Sequence, residues 1–124
     1  MKILLSGYGK MGKTIDRIAS DRKHRVVHKL NSTPTGSQLQ EVDIVIDFSI
    51  PDAAFTNAKT VIDSKKPIIM GTTGWRSHYD KIEELVKKNN GKFLYAANFS
   101  IGVNLFFRLN QELAKLMHPY PDYK

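Results

Sequence analysis

The 124-residue sequence predicts an α/β fold, a doubly wound parallel sheet of five or more strands with helices on both faces. Three observations carry that expectation. Short runs of branched apolar residues alternate along the chain with stretches whose apolar residues recur at helical spacing. The first run, Ile3-Leu4-Leu5, leads into glycines at positions 7, 9 and 12 and then into a helical stretch, the order strand, glycine turn, helix. No internal repeat or low-complexity segment interrupts the alternation, and the length suits one core rather than two ordinary domains.

In the first unit each glycine has its own physical reason. Gly7 lets the chain turn sharply off the strand, Gly9 lets the backbone approach a pyrophosphate without a Cβ in the way, and Gly12 lets helix and strand pack closely. The amides of Lys10, Met11 and Gly12 then point at the anion with the positive end of the helix dipole behind them. A plain structural turn carries similar glycines. The order of elements around this triplet favours a nucleotide site, hence a Rossmann-like domain. Residues 11–19 place Met11, Ile15, Ile18 and Ala19 on one helical face, with Lys13, Asp16 and Arg17 opposite.

Residues 25–30 read as a second strand, half-exposed because His28 and Lys29 follow Val26 and Val27. Residues 31–36, with Pro34 and Gly36, read as a loop, and the next ordered element is expected near Val42. Residues 42–48 are rich in branched side chains and read as a buried third strand. Pro51 opens a helix through Ala54, Phe55, Ala58, Val61 and Ile62. Residues 67–70 form a very short fourth strand feeding Gly71-Thr72-Thr73-Gly74. A helix over 77–90 carries Tyr79, Ile82, Leu85 and Val86 on one face and stops at Gly91, with Trp75 and Tyr79 shielding the loop before it. Residues 92–96 are a fifth strand. A last helix over 103–117 has Leu105, Phe106, Leu109, Leu113, Leu116 and Met117 on its apolar stripe. Right-handed crossovers and the usual order of such sheets put the first strand centrally, strands two and three on one side, four and five on the other, and the ligand at the strands' C-terminal ends.

Composition narrows the chemistry. There is no cysteine, which excludes disulfides, a thiolate nucleophile and cysteine-ligated metal. No apolar run has the length of a membrane span and no signal-peptide pattern opens the chain, so a cytoplasmic protein without a membrane partner is expected. The net charge is +7, from 19 Lys and Arg against 12 Asp and Glu. Lysine pairs such as Lys65-Lys66 and Lys87-Lys88 fall near helix ends, and no basic stripe with interleaved aromatics stands out, so no nucleic-acid partner is expected. His24, His28, His78 and His118 fit no ligand spacing and read as surface residues, and no metal is expected. No Ser-His-Asp or paired-carboxylate spacing is present either.

The end of the second strand is where a dinucleotide domain declares its cofactor, through an acid about 20 residues beyond the glycines that reads the adenosine ribose. Here Asn31, Ser32 and Thr33 occupy that position. Without an acid a 2′-phosphate is not repelled, and hydroxyls with nearby Lys29 suit it, although no arginine fork is present. The reading leans to NADPH, or to dual use with NADH. Gly71-Thr72-Thr73-Gly74 has two readings, a glycine-bounded turn or a set of amides and hydroxyls for the nicotinamide ribose or a substrate carboxylate. Asn98 to Asn104 reads similarly, as a polar strand exit leading into a helix.

Taken together, Gly7-Tyr8-Gly9-Lys10-Met11-Gly12, Asp47-Phe48-Ser49, Gly71-Thr72-Thr73-Gly74-Trp75 and Ala96-Ala97-Asn98-Phe99-Ser100-Ile101-Gly102-Val103-Asn104 closely resemble, in order and spacing, the N-terminal domain of the dihydrodipicolinate reductase family. These are the 4-hydroxy-tetrahydrodipicolinate reductases of lysine and diaminopimelate biosynthesis. The resemblance implies an NAD(P)H-dependent oxidoreductase that transfers hydride to a cyclic unsaturated dicarboxylate. It implies that residues 7–12 hold the pyrophosphate, that Phe48 and Ser49 line the cofactor cleft, and that Gly71, Thr72, Thr73, Ala96, Ala97, Asn98 and Phe99 contact the nicotinamide end. By the same resemblance Thr73 also touches a substrate carboxylate. The family's acidic ribose contact maps to Asn31, a departure from strict NADH use.

The family continues for roughly the same length again, with a substrate-binding domain carrying H-H-x-x-K-x-D-A-P-S-G-T, whose histidine and lysine act as proton donor and substrate anchor. The expectation is therefore a nucleotide-binding domain over 1–118 and the start of a hinge over 119–124. No catalytic residue is expected within these residues, and the chain by itself is expected to be inactive. In the family the C-terminus returns to finish packing the first domain and the second domain builds a homotetramer. Apolar surface along Phe106, Leu109 and Leu113 is expected to be exposed. The competing reading is a stand-alone nucleotide-binding or redox-sensing module without catalysis.

Overall fold

The computed structural model describes residues 1–120 and Asp122, so residues 121, 123 and 124 of the hinge expected over 119–124 lie outside the described residues. Element order is β1 Lys2–Ser6, α1 Lys10–Asp21, β2 Arg25–Leu30, α2 Gly36–Gln40, β3 Ile44–Asp47, α3 Pro51–Asp63, β4 Ile68–Met70, a 3-10 turn Arg76–His78, α4 Tyr79–Asn89, β5 Phe93–Tyr95 and α5 Ile101–Met117. Among the described residues five parallel strands form one sheet in the order β2-β1-β3-β4-β5.

That order corrects the expected one. β3 does not lie outside β2; it crosses β1 and pairs on its other side, with Ile3 opposite Ile44 and Ser6 opposite Asp47. The physical reason is the short connection after β2. Residues 31–36, expected as a loop with nothing ordered until Val42, lead into α2, where Thr35 caps the helix and Gln38 returns the bond in a capping box. Its Leu39, with the following Val42, is buried beside Leu4 and Val45, so the chain is drawn across the sheet instead of back along its edge. β2 is thus an edge strand, which accounts for the half-exposed character of His28 and Lys29.

Helices cover both faces, unequally. Among the described residues α1 alone packs one face, through Ala19 and Ile15 against Ile3, Leu5, Ile44 and Ile46. α2, α3 and α4 pack the other, where Leu39, Ala58, Val61, Ile62 and Ile82 meet Leu4, Val45, Ile68 and Met70. Trp75 belongs to this core rather than to a loop shield, and its indole N–H donates to the Thr72 carbonyl at 2.7 Å. α5 is different: none of its residues is buried, and Phe106, Leu109 and Leu113 are 58%, 66% and 49% exposed.

If α2 ties the crossover down, Leu39→Ala will lower stability by about 3 kcal/mol in urea titrations, the cost of an unfilled core cavity. Leu94→Ala, at a site 54% exposed on β5, will change it by less than about 0.5 kcal/mol.

Candidate functional site

The crossovers reverse between β1 and β3, and there the C-terminal strand ends open a crevice. The glycine loop occupies its floor. Gly7 has a φ of +90°, and a Cβ on it would overlap the Phe48 carbonyl; its amide donates to Leu30 O at 2.7 Å. A Cβ on Gly12 would overlap the Gly7 carbonyl, so this glycine closes α1 onto β1. Gly9 is unlike both, since a Cβ there would meet nothing within 4 Å. As the N-cap of α1 it provides no side-chain acceptor, and no acid lies in the first turn. The first amides of α1 therefore face open space without a side-chain partner, the arrangement that receives an anion.

From this loop a cleft of about 540 Å³ runs to the exit of β5, lined by Met11, Ile15, Phe48, Ile69 and residues 97–100. The rings of Phe48 and Phe99 face each other across 6.2 Å, and Phe48 lies so close on Gly71 that a Cβ there would overlap the ring. Ala97, Asn98 and Phe99 form the far wall, with Ala96 held by its amide on Met70 O. Asn98 Oδ1 accepts from Ser100 N at 2.7 Å, and Asn104 Nδ2 donates to the carbonyls of Asn98 and Ser100. The loop before α5 is thus folded on its own amides, with Asn98 among the residues that line the cleft.

Beneath the crevice lies a buried polar knot that joins Ser49 and Thr72 to Asp47, Asn57 and Ser6, three residues to which the sequence assigns no role. Asp47, with 0% of its surface exposed, closes β3. Its Oδ1 accepts from Ser49 N, Ser49 Oγ and Thr72 Oγ1 at 3.1, 2.8 and 2.6 Å, and its Oδ2 accepts from Asn57 Nδ2 at 2.9 Å. Asn57 Nδ2 also donates to Ser6 Oγ at 3.0 Å. One carboxyl group therefore joins the ends of β1, β3 and β4 to α3. Thr72 turns its hydroxyl into this knot and is buried, whereas Thr73 is exposed. The signal in the sequence was an acid at the end of a strand otherwise made of branched apolar residues.

At the other end of the crevice Asn31 Oδ1 accepts from Tyr8 N at 2.8 Å, so Asn31 pins the glycine loop to β2, while Ser32 beside it is exposed. The Tyr8 hydroxyl donates to Asp16 Oδ2, and Lys29 Nζ lies 2.7 Å from the same oxygen and 5.2 Å from the Tyr8 ring centroid. Lys29 first, then Tyr8, holds the Asp16 carboxyl below its ordinary range. Two histidines depart from the surface reading. His78, in the 3-10 turn, lies against Phe55 of α3 at 4.8 Å between ring centroids with Nδ1 buried, and half-buried His28 on edge strand β2 bonds Glu41 just beyond α2 at 3.0 Å. Among the described residues no group of three or more His, Asp or Glu is placed to hold a metal, and no helix is long and apolar enough to cross a membrane.

Residues 1–99 match the family model described as dihydrodipicolinate reductase, N-terminus. The chain is 47% identical over 125 residues to a 4-hydroxy-tetrahydrodipicolinate reductase of Christiangramia forsetii, covering 99% of this chain and 52% of that protein. It is 36% identical over 126 residues to the protein of the same name from Rickettsia bellii, covering 97% and 50%. The chain thus spans about half the length of these relatives. A hyperthermophilic archaeal homoserine dehydrogenase in complex with NADPH has a TM-score of 0.62 at 15% identity, over 76% of this chain and 43% of that one. Plasmodium falciparum pyrroline carboxylate reductase with NADP bound has a TM-score of 0.51 at 19% identity, over 69% and 38%. At those identities the likeness shows the fold.

Removing the knot's acceptor leaves two hydroxyls, a backbone N–H and a side-chain amide without it in a dry site. Asp47→Ala will therefore cost about 3 to 5 kcal/mol in urea unfolding, and Asn57→Ala, which removes a donor and leaves Asp47 its three other bonds, will cost less.

Proposed function

The chain belongs to the family described as dihydrodipicolinate reductase, N-terminus, and on that premise we propose that it is the NAD(P)H-binding part of a 4-hydroxy-tetrahydrodipicolinate reductase. The observation that carries the cofactor reading is Gly9. It is a glycine whose missing side chain serves no packing need, set at the uncapped start of α1 beside an open cleft. A backbone kept bare where nothing in the protein requires it suits a ligand that must approach the amides closely. Two structures of the same fold carry NADPH and NADP, which agrees with a nicotinamide dinucleotide.

The residues present fit such a group. The amides of Gly9, Lys10, Met11 and Gly12 hold the pyrophosphate, with Gly7 setting the turn and Tyr8 fixed by Asn31. Phe48, Ala97 and Phe99 enclose the nicotinamide end in apolar surface that excludes water from the reacting carbon. Ser49 and the backbone of Gly71 and Thr72, held from below by Asp47, fix the height of that floor, and Ala96 and Asn98 close the far side. When bound, the dinucleotide supplies hydride to the unsaturated ring of a cyclic dicarboxylate, the reduction of the lysine and diaminopimelate route. Thr73 is exposed, and to its hydroxyl we assign a hydrogen bond donated to a substrate carboxylate. The H-H-x-x-K-x-D-A-P-S-G-T motif is not among these 124 residues. We assign proton donation and substrate anchoring to the half of the family's length outside them, with this chain alone binding cofactor without turnover and the whole enzyme a cytoplasmic homotetramer. Cofactor choice falls to NADPH or dual use with NADH, since Asn31 stands where an acid would repel a 2′-phosphate.

Calorimetric titration with NADPH and NADH tests the reading. Wild-type chain will bind in the micromolar range, and Gly9→Ala will weaken binding of both at least about tenfold while leaving the thermal midpoint unchanged. Full binding by Gly9→Ala would contradict the role given to the loop.

A further inference from the structure

Cofactor choice in a dinucleotide site turns on what meets the 2′ position of the adenosine ribose, beside the end of the second strand. The local charge there is set by Lys29 and by the carboxylate that it meets, Asp16. Lys29 and Asn31 lie two residues apart, and Lys29 leans toward α1, where its ammonium is 2.7 Å from Asp16 Oδ2. The Tyr8 hydroxyl donates to that same oxygen, and the ammonium stands over the Tyr8 ring. Tyr8 in turn is tied through its amide to Asn31. The four side chains therefore form one continuous cluster from the glycine loop to the end of β2. Lys13 and Arg17 complete a shallow depression with Asp16, Asp21 and Lys29, three cations against two carboxylates.

We propose that Asp16 is a specificity-determining residue of this cofactor site: as the counter-ion of Lys29 it restrains that cation from committing to a 2′-phosphate and so lets the site take NADH alongside NADPH. The inference rests on the dinucleotide reading above and deepens it. A 2′-phosphate that recruits Lys29 must separate the ammonium from a carboxylate already bonded to it. It then faces that carboxylate across the same short distance, like charge to like charge. A 2′-hydroxyl asks for neither change. The missing ribose acid at Asn31 removes the usual bar to NADPH, and Asp16, one layer behind on α1, restores part of it from a different element.

The test is a calorimetric comparison of NADPH and NADH on wild-type, Asp16→Asn and Asp16→Asn/Lys29→Gln chains. Asparagine keeps the shape and an acceptor for the Tyr8 hydroxyl while removing the charge, so the loop stays tied. In Asp16→Asn the preference for NADPH over NADH will rise about tenfold, the size of one charge-assisted phosphate contact, with NADH affinity held within about twofold. The double variant will lose that gain, because the freed cation is gone. A general loosening of the site would instead weaken both nucleotides together. If both bind wild type and the ratio is the same in Asp16→Asn, the inference is overturned and the dinucleotide reading stands. If a folded wild-type chain binds neither, the dinucleotide reading fails and the inference falls with it.

Discussion

The ends of β1, β3 and β4 at the C-terminal edge of the sheet depend on the carboxyl group of Asp47. Three strands end within reach of it, and their ends are short loops with little packing of their own, held in place by hydrogen bonds to Ser49, Thr72 and Asn57 and, through Asn57, to Ser6. A buried acid is costly unless its lone pairs are met, and here four donors meet them. That requirement is what makes the knot specific. No apolar residue at position 47 can fix the height of both the Ser49 turn and the Thr72 turn, because dispersion contacts carry no such direction. The crevice floor is rigid because its polar groups have been turned down into the protein, away from the side where a ligand approaches.

Most of the fold was legible because local patterns and tertiary packing agree. β2 was read over the residues it occupies, and α3 opens on the proline that signals it. The strand order was not legible, since order depends on which way one connection turns. That connection is only thirteen residues long, from Leu30 to Ile44, and its single helical turn is too short for periodicity to expose. Its capping pair, Thr35 and Gln38, was present in the sequence as T-x-x-Q. Pro34 and Gly36 on either side of Thr35 gave a stronger loop signal and hid it. The half-polar character of β2 did hold the answer in part: an edge strand leaves no room for a further strand beyond it.

The site divides in the same way. Backbone-driven parts were readable, because a glycine has few reasons to sit at a strand-to-helix turn. Side-chain partnerships were not, since they join residues far apart in sequence. Asp16 looked like a solvated residue on the outer face of α1, and nothing local marks Lys29, thirteen positions on, as its partner. The position of Asn31 points to the ribose, yet its side-chain carbonyl oxygen is already spent on the Tyr8 amide. Thr72 and Thr73 are adjacent and chemically alike, but one hydroxyl belongs to the core and the other to the surface.

The glycine loop shows how folding and binding demands are kept apart within six residues. Gly7 and Gly12 are fixed by the protein's own atoms, since a Cβ on either would overlap a backbone carbonyl. Their identity would be required even if nothing ever bound. Gly9, between them, is free of that requirement: its φ is −84°, a value open to any residue, and the space around it is empty. A side chain there would cost no packing, so the protein's own atoms give no reason for glycine beyond its acceptability at an N-cap. The bare backbone at position 9 is therefore best explained from outside the fold, by something that must come closer to the amides of α1 than a methyl group allows.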